Sequence, residues 1–242
     1  MSNSNFVVTN LLLHSLIEVT ERRLLPHLEE VCLTYGQTLY ETGAKITDVY
    51  FPQSATRLSS LLVMSDRSTV EITSIGNEGL VGLPALLGSD LSNTRTVVQM
   101  SGKALKLSGD TIEQELKQEE TLRQLVLLYT QTQLNQISQI AACHSRHDIE
   151  QRLARWLLLI FDSSSKDTLP LTQKFISLML GVRRASITEI AISFQKQGVI
   201  QYTRGQITLL DRAKLESISC ECYGRIKAEH KRLQESILLE IN

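Results

Sequence analysis

Leu171-Thr172-Gln173-Lys174-Phe175-Ile176-Ser177-Leu178-Met179-Leu180-Gly181-Val182-Arg183-Arg184-Ala185-Ser186-Ile187-Thr188-Glu189-Ile190 reads as two helices meeting across one tight turn. Thr172 is placed to cap a first helix over 173–180. Gly181 follows where the chain needs a left-handed residue, a conformation other side chains resist. A second helix is predicted over 183–197. Ser177 is small enough to let the two helices approach, and Ile176, Leu180, Val182, Ile187 and Ile190 supply an apolar wedge between them. After Gly198, the segments 199–202 and 206–209 flank a turn at Arg204-Gly205, the pattern of a hairpin wing.

A helix-turn-helix of this kind presents the start of its second helix to the major groove of duplex DNA. The candidate base-contacting residues are Arg183, Arg184, Ser186 and Glu189. Arginine can donate two hydrogen bonds to guanine, and a carboxylate can accept from cytosine. Thr172, Gln173 and Lys174 lie at a helix N-terminus, where amides and positive charge favour phosphate, and Arg204 at the wing tip is a further phosphate candidate. Taken singly, each arginine also fits a solvated helix face; as a set beside this turn they point to DNA.

Upstream, the texture changes twice. From about Leu33 to Leu107 the chain is rich in Gly, Thr, Ser and Val, with strands expected over 57–64, 69–73 and 94–100 and a turn at Asp66-Arg67-Ser68. That is the texture of a small antiparallel barrel or jelly roll. The stretch before it, Asn10 to Glu30, reads as helical. From Asp110 through Leu169 there is no Gly or Pro. Asp110 and Glu113 resemble a helix cap, and Leu122, Leu125, Val126, Tyr129, Ile137 and Ile140 recur at three- and four-residue steps. Such a stripe most simply pairs with its copy in a second subunit; a long helix packed on its own domain is the alternative. The helix is expected to break near residues 143–147, with a new one over 148–161 and a loop over 163–167. The expected fold is thus α+β. Residues 1–109 form an N-terminal antiparallel β-roll, 110–142 a long dimerisation helix, 143–212 a C-terminal winged helix-turn-helix and 213–242 a helical tail.

Charge follows the same partition. Residues 1–142 hold ten Lys/Arg against fifteen Asp/Glu, whereas 143–212 hold ten against six. A basic segment beside an acidic one suits a binding domain for polyanions whose partner domain keeps the molecule soluble. With 42 % hydrophobic and 21 % charged residues, the chain has the makings of a packed core. No apolar run approaches a membrane span, and Met1–Asn5 lack a signal-peptide pattern. Four cysteines without disulfide-scaffold spacing suggest a reducing cytoplasm.

The order of several segments resembles the family of the cyclic-AMP receptor protein and the fumarate–nitrate regulator (Crp/Fnr). These are Tyr35-Gly36-Gln37-Thr38-Leu39-Tyr40-Glu41-Thr42-Gly43, Val49-Tyr50-Phe51-Pro52, Ile75-Gly76-Asn77-Glu78-Gly79-Leu80-Val81-Gly82, His147 with Arg152-Leu153-Ala154-Arg155-Trp156-Leu157-Leu158, and the helix-turn-helix. The resemblance runs from about Leu12 to Tyr223. It implies a cyclic-nucleotide-binding-like sensor domain, a homodimer on a pseudo-palindromic site and contact with RNA polymerase. The effector pocket it implies falls at Gly79, Gly82, Leu83, Ser92 and Arg95. Here the sequence departs from the nucleotide-binding members: Leu83 stands where a ribose-binding glutamate would be, and Ser92 lies near the phosphate-binding arginine. Arg95, three residues away, could supply that contact only through a shifted loop. Cyclic AMP and cyclic GMP are therefore expected not to bind well, and no cofactor is predicted. Ala185 occupies a place that is often a base-reading glutamate, so the target sequence is expected to differ.

No metal is predicted either. Only Cys32 lies in the first 142 residues, which leaves no N-terminal iron–sulfur set. Cys143, His144 and His147 lack an evident fourth ligand and read as hinge packing. Cys220 and Cys222 are expected on different sides of a helix. An enzyme is disfavoured because none of His14, His27, His144, His147 and His230 falls in the strand region and no catalytic motif is present. The remaining rival is a ligand-binding or protein-interaction module that has kept the fold and lost promoter function.

Overall fold

The computed structural model describes residues 6–164 and 166–241. Met1–Asn5 and Ser165, on which the signal-peptide reading and part of the 163–167 loop fall, lie outside the described residues. The chain divides into two compact units, one of Met1–Ser60, Thr73–Gln136 and Ala228–Asn242, the other of Leu61–Ile72 and Ile137–Lys227. The boundaries thus differ from the four segments expected: the tail is shared between the units and the long helix is divided at Gln136.

The first unit opens with α1 (Leu11–Val19), whose cap Asn10 accepts from the Leu13 amide. The Asn10 side-chain amide also donates to Pro52 O at 2.9 Å and Gly79 O at 2.8 Å, so a fully buried polar residue has its partners. The helix expected as far as Glu30 ends early. Glu21 and Arg22 turn to positive φ (48° and 67°), and a single 3₁₀ turn covers Leu25–His27. There follow β1 (Glu29–Leu33), β2 (Thr38–Tyr40), β3 (Asp48–Pro52), β4 (Arg57–Val63), β5 (Thr69–Ile75), α2 (Leu83–Leu86), β6 (Arg95–Met100) and β7 (Gly102–Ser108). They form one sheet in the order β1-β7-β3 and another in the order β2-β6-β4-β5. In the first, β7 pairs antiparallel with both neighbours, Val31 opposite Ala104 and Phe51 opposite Leu105. Leu33, Leu58, Val98 and Ala104 come from both sheets into one buried cluster, so the core of the roll lies between them.

Next come α3 (Gly109–Gln118) and α4 (Glu120–Arg146). Ser108, not Asp110, stands at the cap of α3; Asp110 lies in its first turn, where a negative charge favours the helix dipole. The helix expected to run on unbroken from Asp110 is interrupted at extended Glu119 (φ −117°, ψ 107°). The seam expected between subunits is corrected for four residues. Leu122, Leu125, Val126 and Tyr129 are 0–3 % exposed and pack within their own chain against Leu12, Leu16, Phe51, Leu105, Leu233 and Ile237. Burying a leucine is worth about 1.5–3 kcal/mol, and the nearest apolar surface here is the roll's own. The Tyr129 hydroxyl donates to Leu80 O (2.8 Å) and accepts from Leu80 N (3.0 Å). A Cβ on Gly79 would lie 2.4 Å from that hydroxyl, which explains the glycine. On the same stretch of α4, Leu127 and Leu134 are 61 % and 60 % exposed.

The second unit begins with the rest of α4, ending at Arg146. Then comes α5 (Ile149–Asp162), capped by Asp148 in a reciprocal box with Gln151, a cap worth about 1 kcal/mol. The residues from Leu153 to Phe161 are all buried, and the Trp156 indole donates to Glu71 Oε1 at 3.2 Å. Ile140 is buried against Leu159 and Ile226, and Ile137 is half-buried. A short β8 (Thr168–Leu169) precedes α6 (Gln173–Leu180) and α7 (Arg184–Lys196). The wing strands β9 (Ile200–Thr203) and β10 (Gln206–Leu209) follow, then α8 (Arg212–Ile218) and α9 (Cys222–Ile241). The three strands run β8-β10-β9, so the wing has a third strand that the sequence pattern did not announce. None of the helices among the described residues is long and apolar enough to cross a membrane.

Candidate nucleic-acid interface

The turn between α6 and α7 is built as its residues require. Thr172 Oγ1 accepts from the Phe175 amide at 3.2 Å. Gly181 takes φ +63°, ψ +39°, and its amide closes the helix onto Ser177 O. A Cβ there would also come within 3.2 Å of Val70, so the position is constrained twice. Ile176, Leu180 and Ile187 are at most 1 % exposed, and Ser177 is buried between them. Val182 and Ile190 are only half-buried; Met179, Ala191 and Phe194 complete the wedge.

This packing leaves one face of α7 open. Arg183 is its cap residue, and Arg183, Arg184 and Glu189 are exposed, with Ser186 half-buried beside them. Lys174 at the start of α6 and Arg204 at the wing tip are exposed as well. Arg204 has φ +50° and Gly205 φ +79°, the tight hairpin turn expected at this place. None of Lys174, Arg183, Arg184 and Arg204 has a carboxylate partner among the described residues. Thr172 and Gln173 are less available: the Thr172 hydroxyl serves as the cap, the Gln173 amide donates to the Tyr202 hydroxyl at 3.1 Å, and Gln173 Oε1 accepts from Thr188 at 2.8 Å.

Of the five expected effector residues, Leu83, Ser92 and Arg95 have side chains already engaged within the fold. Leu83 packs against the apolar core and starts α2 behind Gly82 (φ +100°). Ser92 is buried with its hydroxyl donating to Thr94 O at 2.7 Å, and Arg95 is engaged by Glu41 at 2.7 Å. A cavity of about 510 Å³ in the same unit is lined by Asp48, Asp90, Asp110 and Glu113 with Lys45, and by none of the five. Its acidic wall disfavours a phosphate.

A cluster that sequence reading missed lies in the second unit. Cys143, His147, Cys220 and Cys222 bring one ligand atom each to within 4.8 Å of all the others. The expectation that Cys220 and Cys222 diverge on a helix is corrected. Cys220 precedes α9 in the non-helical link after Ser219, and Cys222 is the first helical residue, so both sulfurs turn the same way. Of Cys143, His144 and His147, the first and last belong to the cluster and His144 does not. Burial, with Arg152 and Arg155 nearby, pushes His144 down to about 4, a neutral ring outside the cluster. No signal short of the fold could have joined residues 77 apart in the chain.

Residues 151–218 match the Crp-like helix-turn-helix domain family. No curated protein matches the chain in sequence. Among solved structures, FixK2 from Bradyrhizobium japonicum is similar at TM-score 0.68 and 15 % identity, over 80 % of this chain and 98 % of that one. CLP, a c-di-GMP-responsive global regulator from Xanthomonas campestris, gives 0.63 at 16 % identity over 79 % and 98 %. A transcriptional regulator of the CRP/FNR family from Thermus thermophilus gives 0.63 at 15 % over 79 % and 98 %. At such identities the likeness is one of fold. Residues 151–218 are a Crp-like helix-turn-helix domain, carried in a chain with the fold of the Crp/Fnr-family transcriptional regulators.

Proposed function

We propose that the protein is a sequence-specific DNA-binding regulator of transcription that acts as a homodimer on a pseudo-palindromic promoter site. The observation that carries this reading is the open face of α7, where Arg183 and Arg184 stand exposed without a carboxylate. With Ser186 and Glu189 they would contact base edges. Lys174 and Arg204 would hold phosphates, with Thr172 and Gln173 shaping the helix start between them. For the dimer, Leu127 and Leu134 offer exposed apolar side chains seven residues apart, the spacing of a coiled-coil seam, with half-buried Ile137 on the same helix. The partners are then duplex DNA, a second copy of the chain and RNA polymerase, in a reducing cytoplasm. A gating effector in the β-roll would be something other than a cyclic nucleotide, given Leu83, the Arg95–Glu41 pair and the acidic cavity. Low-micromolar binding of cyclic AMP in titration calorimetry would defeat that part.

The deciding experiment is selection of sites from a random duplex pool by the purified full-length protein. The expected product is a two-fold-symmetric site with half-sites about one helical turn, ~34–36 Å, apart. Recovery of no enriched sequence, with and without metabolite mixtures, would overturn the proposal.

A further inference from the structure

We propose that Cys143, His147, Cys220 and Cys222 bind one zinc ion, which joins the end of α4 and the turn after it to the junction of α8 and α9. The inference is independent of what the protein reads on DNA. Zinc in a tetrahedron, ~2.3 Å from sulfur and ~2.0–2.1 Å from nitrogen, sets its ligands ~3.8 Å apart for two sulfurs and ~3.6 Å apart for sulfur and nitrogen. The structure has Cys143 Sγ and Cys220 Sγ 3.5 Å apart, and Cys222 Sγ and His147 Nδ1 3.6 Å apart. Four ligand atoms within 4.8 Å of one another, at the corners of one small tetrahedron, describe a site for a single ion. An iron–sulfur cluster would spread the four ligands over at least two irons and would not hold all four ligand atoms within 4.8 Å of one another.

The surroundings are those of ligands held for a metal. His147 Nε2 lies 3.0 Å from Glu221 Oε2, an arrangement that fixes the proton on Nε2 and leaves Nδ1 as the donor to metal. The Gln139 side-chain amide donates to Cys222 Sγ at 3.0 Å, a bond that favours thiolate. All three cysteines are at most 4 % exposed. Buried thiolates need cations, and zinc supplies two positive charges to three of them. A buried guanidinium with an unpartnered Nε, that of Arg155 (1 % exposed), lies in the same unit. Thiolate and imidazole donors do not suit magnesium or calcium, which take oxygen. Four protein ligands with no open position mark the site as structural. Binding displaces the three thiol protons to solvent and changes no oxidation state.

The test is metal analysis of the full-length protein purified under reducing conditions without chelator. About one zinc per chain is expected, released stoichiometrically as a mercurial titrates the thiols. Cobalt exchanged into the site should show the visible bands of a tetrahedral ion together with thiolate-to-cobalt charge transfer. Cys222→Ser should hold zinc at least about tenfold more weakly, while exposed Cys32→Ser keeps it unchanged. Should Cys222→Ser fail to fold, competition of wild-type apo-protein against a chromophoric chelator decides, with binding tighter than about micromolar expected. A reduced wild-type chain that neither carries zinc nor takes it up in that competition would overturn the proposal. So would a Cys143–Cys220 disulfide in the freshly purified protein with no metal present.

Discussion

The two units treat their positive charges differently. In the first, every lysine and arginine except Arg22 reaches a carboxylate, among them Arg23 with Glu115, Arg95 with Glu41, Lys103 with Glu30 and Lys106 with Glu29. In the second, only Arg212 and Lys227 do so among the described residues, both on Asp162. The β-roll neutralises itself, which suits a domain whose ligand, if any, is small. The recognition unit leaves its cations for something outside the protein, and a polyanion that sheds counterions on contact is the matching partner. Two of its arginines without a carboxylate, Arg152 and Arg155, each hold a buried Nε instead of offering it to solvent.

Four outcomes would sharpen or break this contrast. Replacing Arg183 and Arg184 together by alanine should remove two base contacts, each worth about 1–3 kcal/mol, and weaken specific binding by roughly thirtyfold or more in fluorescence anisotropy. An unchanged operator affinity would mean the unpaired cations are merely solvated. In the first unit Arg57 is buried, donates to Ser74 Oγ at 2.9 Å and lies 3.9 Å from Glu78. Arg57→Ala strands that carboxylate and should cost about 3–5 kcal/mol in urea unfolding.

The same group sets a pH dependence. Burial works to raise the Glu78 carboxyl, but Arg57, His230 and the Gly76 amide outweigh it, and the net shift is downward from 4.5. His230 is pushed below 6.5, first by burial and then by Arg57, with Glu78 opposing. The unfolded chain therefore protonates His230 more readily than the folded one, and stability should fall as pH drops below about 6.5. A further fall should follow below 4.5 as Glu78 takes its proton through its lower folded value. Urea midpoints at a series of pH values check this, and His230→Asn should flatten the upper part of the fall. The smallest effect belongs to Glu41→Gln. Freeing the half-buried Arg95 should change stability by at most about 1 kcal/mol and leave DNA affinity where it was.

The helix-turn-helix was readable from residues alone because its constraints are local. Thr172, Ser177 and Gly181 answer to neighbours within a few positions, and the structure finds each doing what its spacing asked. Periodicity on α4 announced a buried face but could not say which surface buries it. Leu122 to Tyr129 met the roll of their own chain before any second subunit. The interruption at Glu119 had no glycine or proline to mark it, and neither had the one at Ser219. Missing the latter put Cys220 on a helix and hid the cysteine–histidine cluster. The effector residues were placed by resemblance alone, and no spacing announces that Arg95 pairs with Glu41.

The approach of Cys143 and Cys220 to 3.5 Å has one more consequence. The stretch between them carries the cap, both helices of the helix-turn-helix and the wing, and its two ends leave from almost the same point. A segment whose ends meet is a closed excursion of the chain, the arrangement inserted domains share.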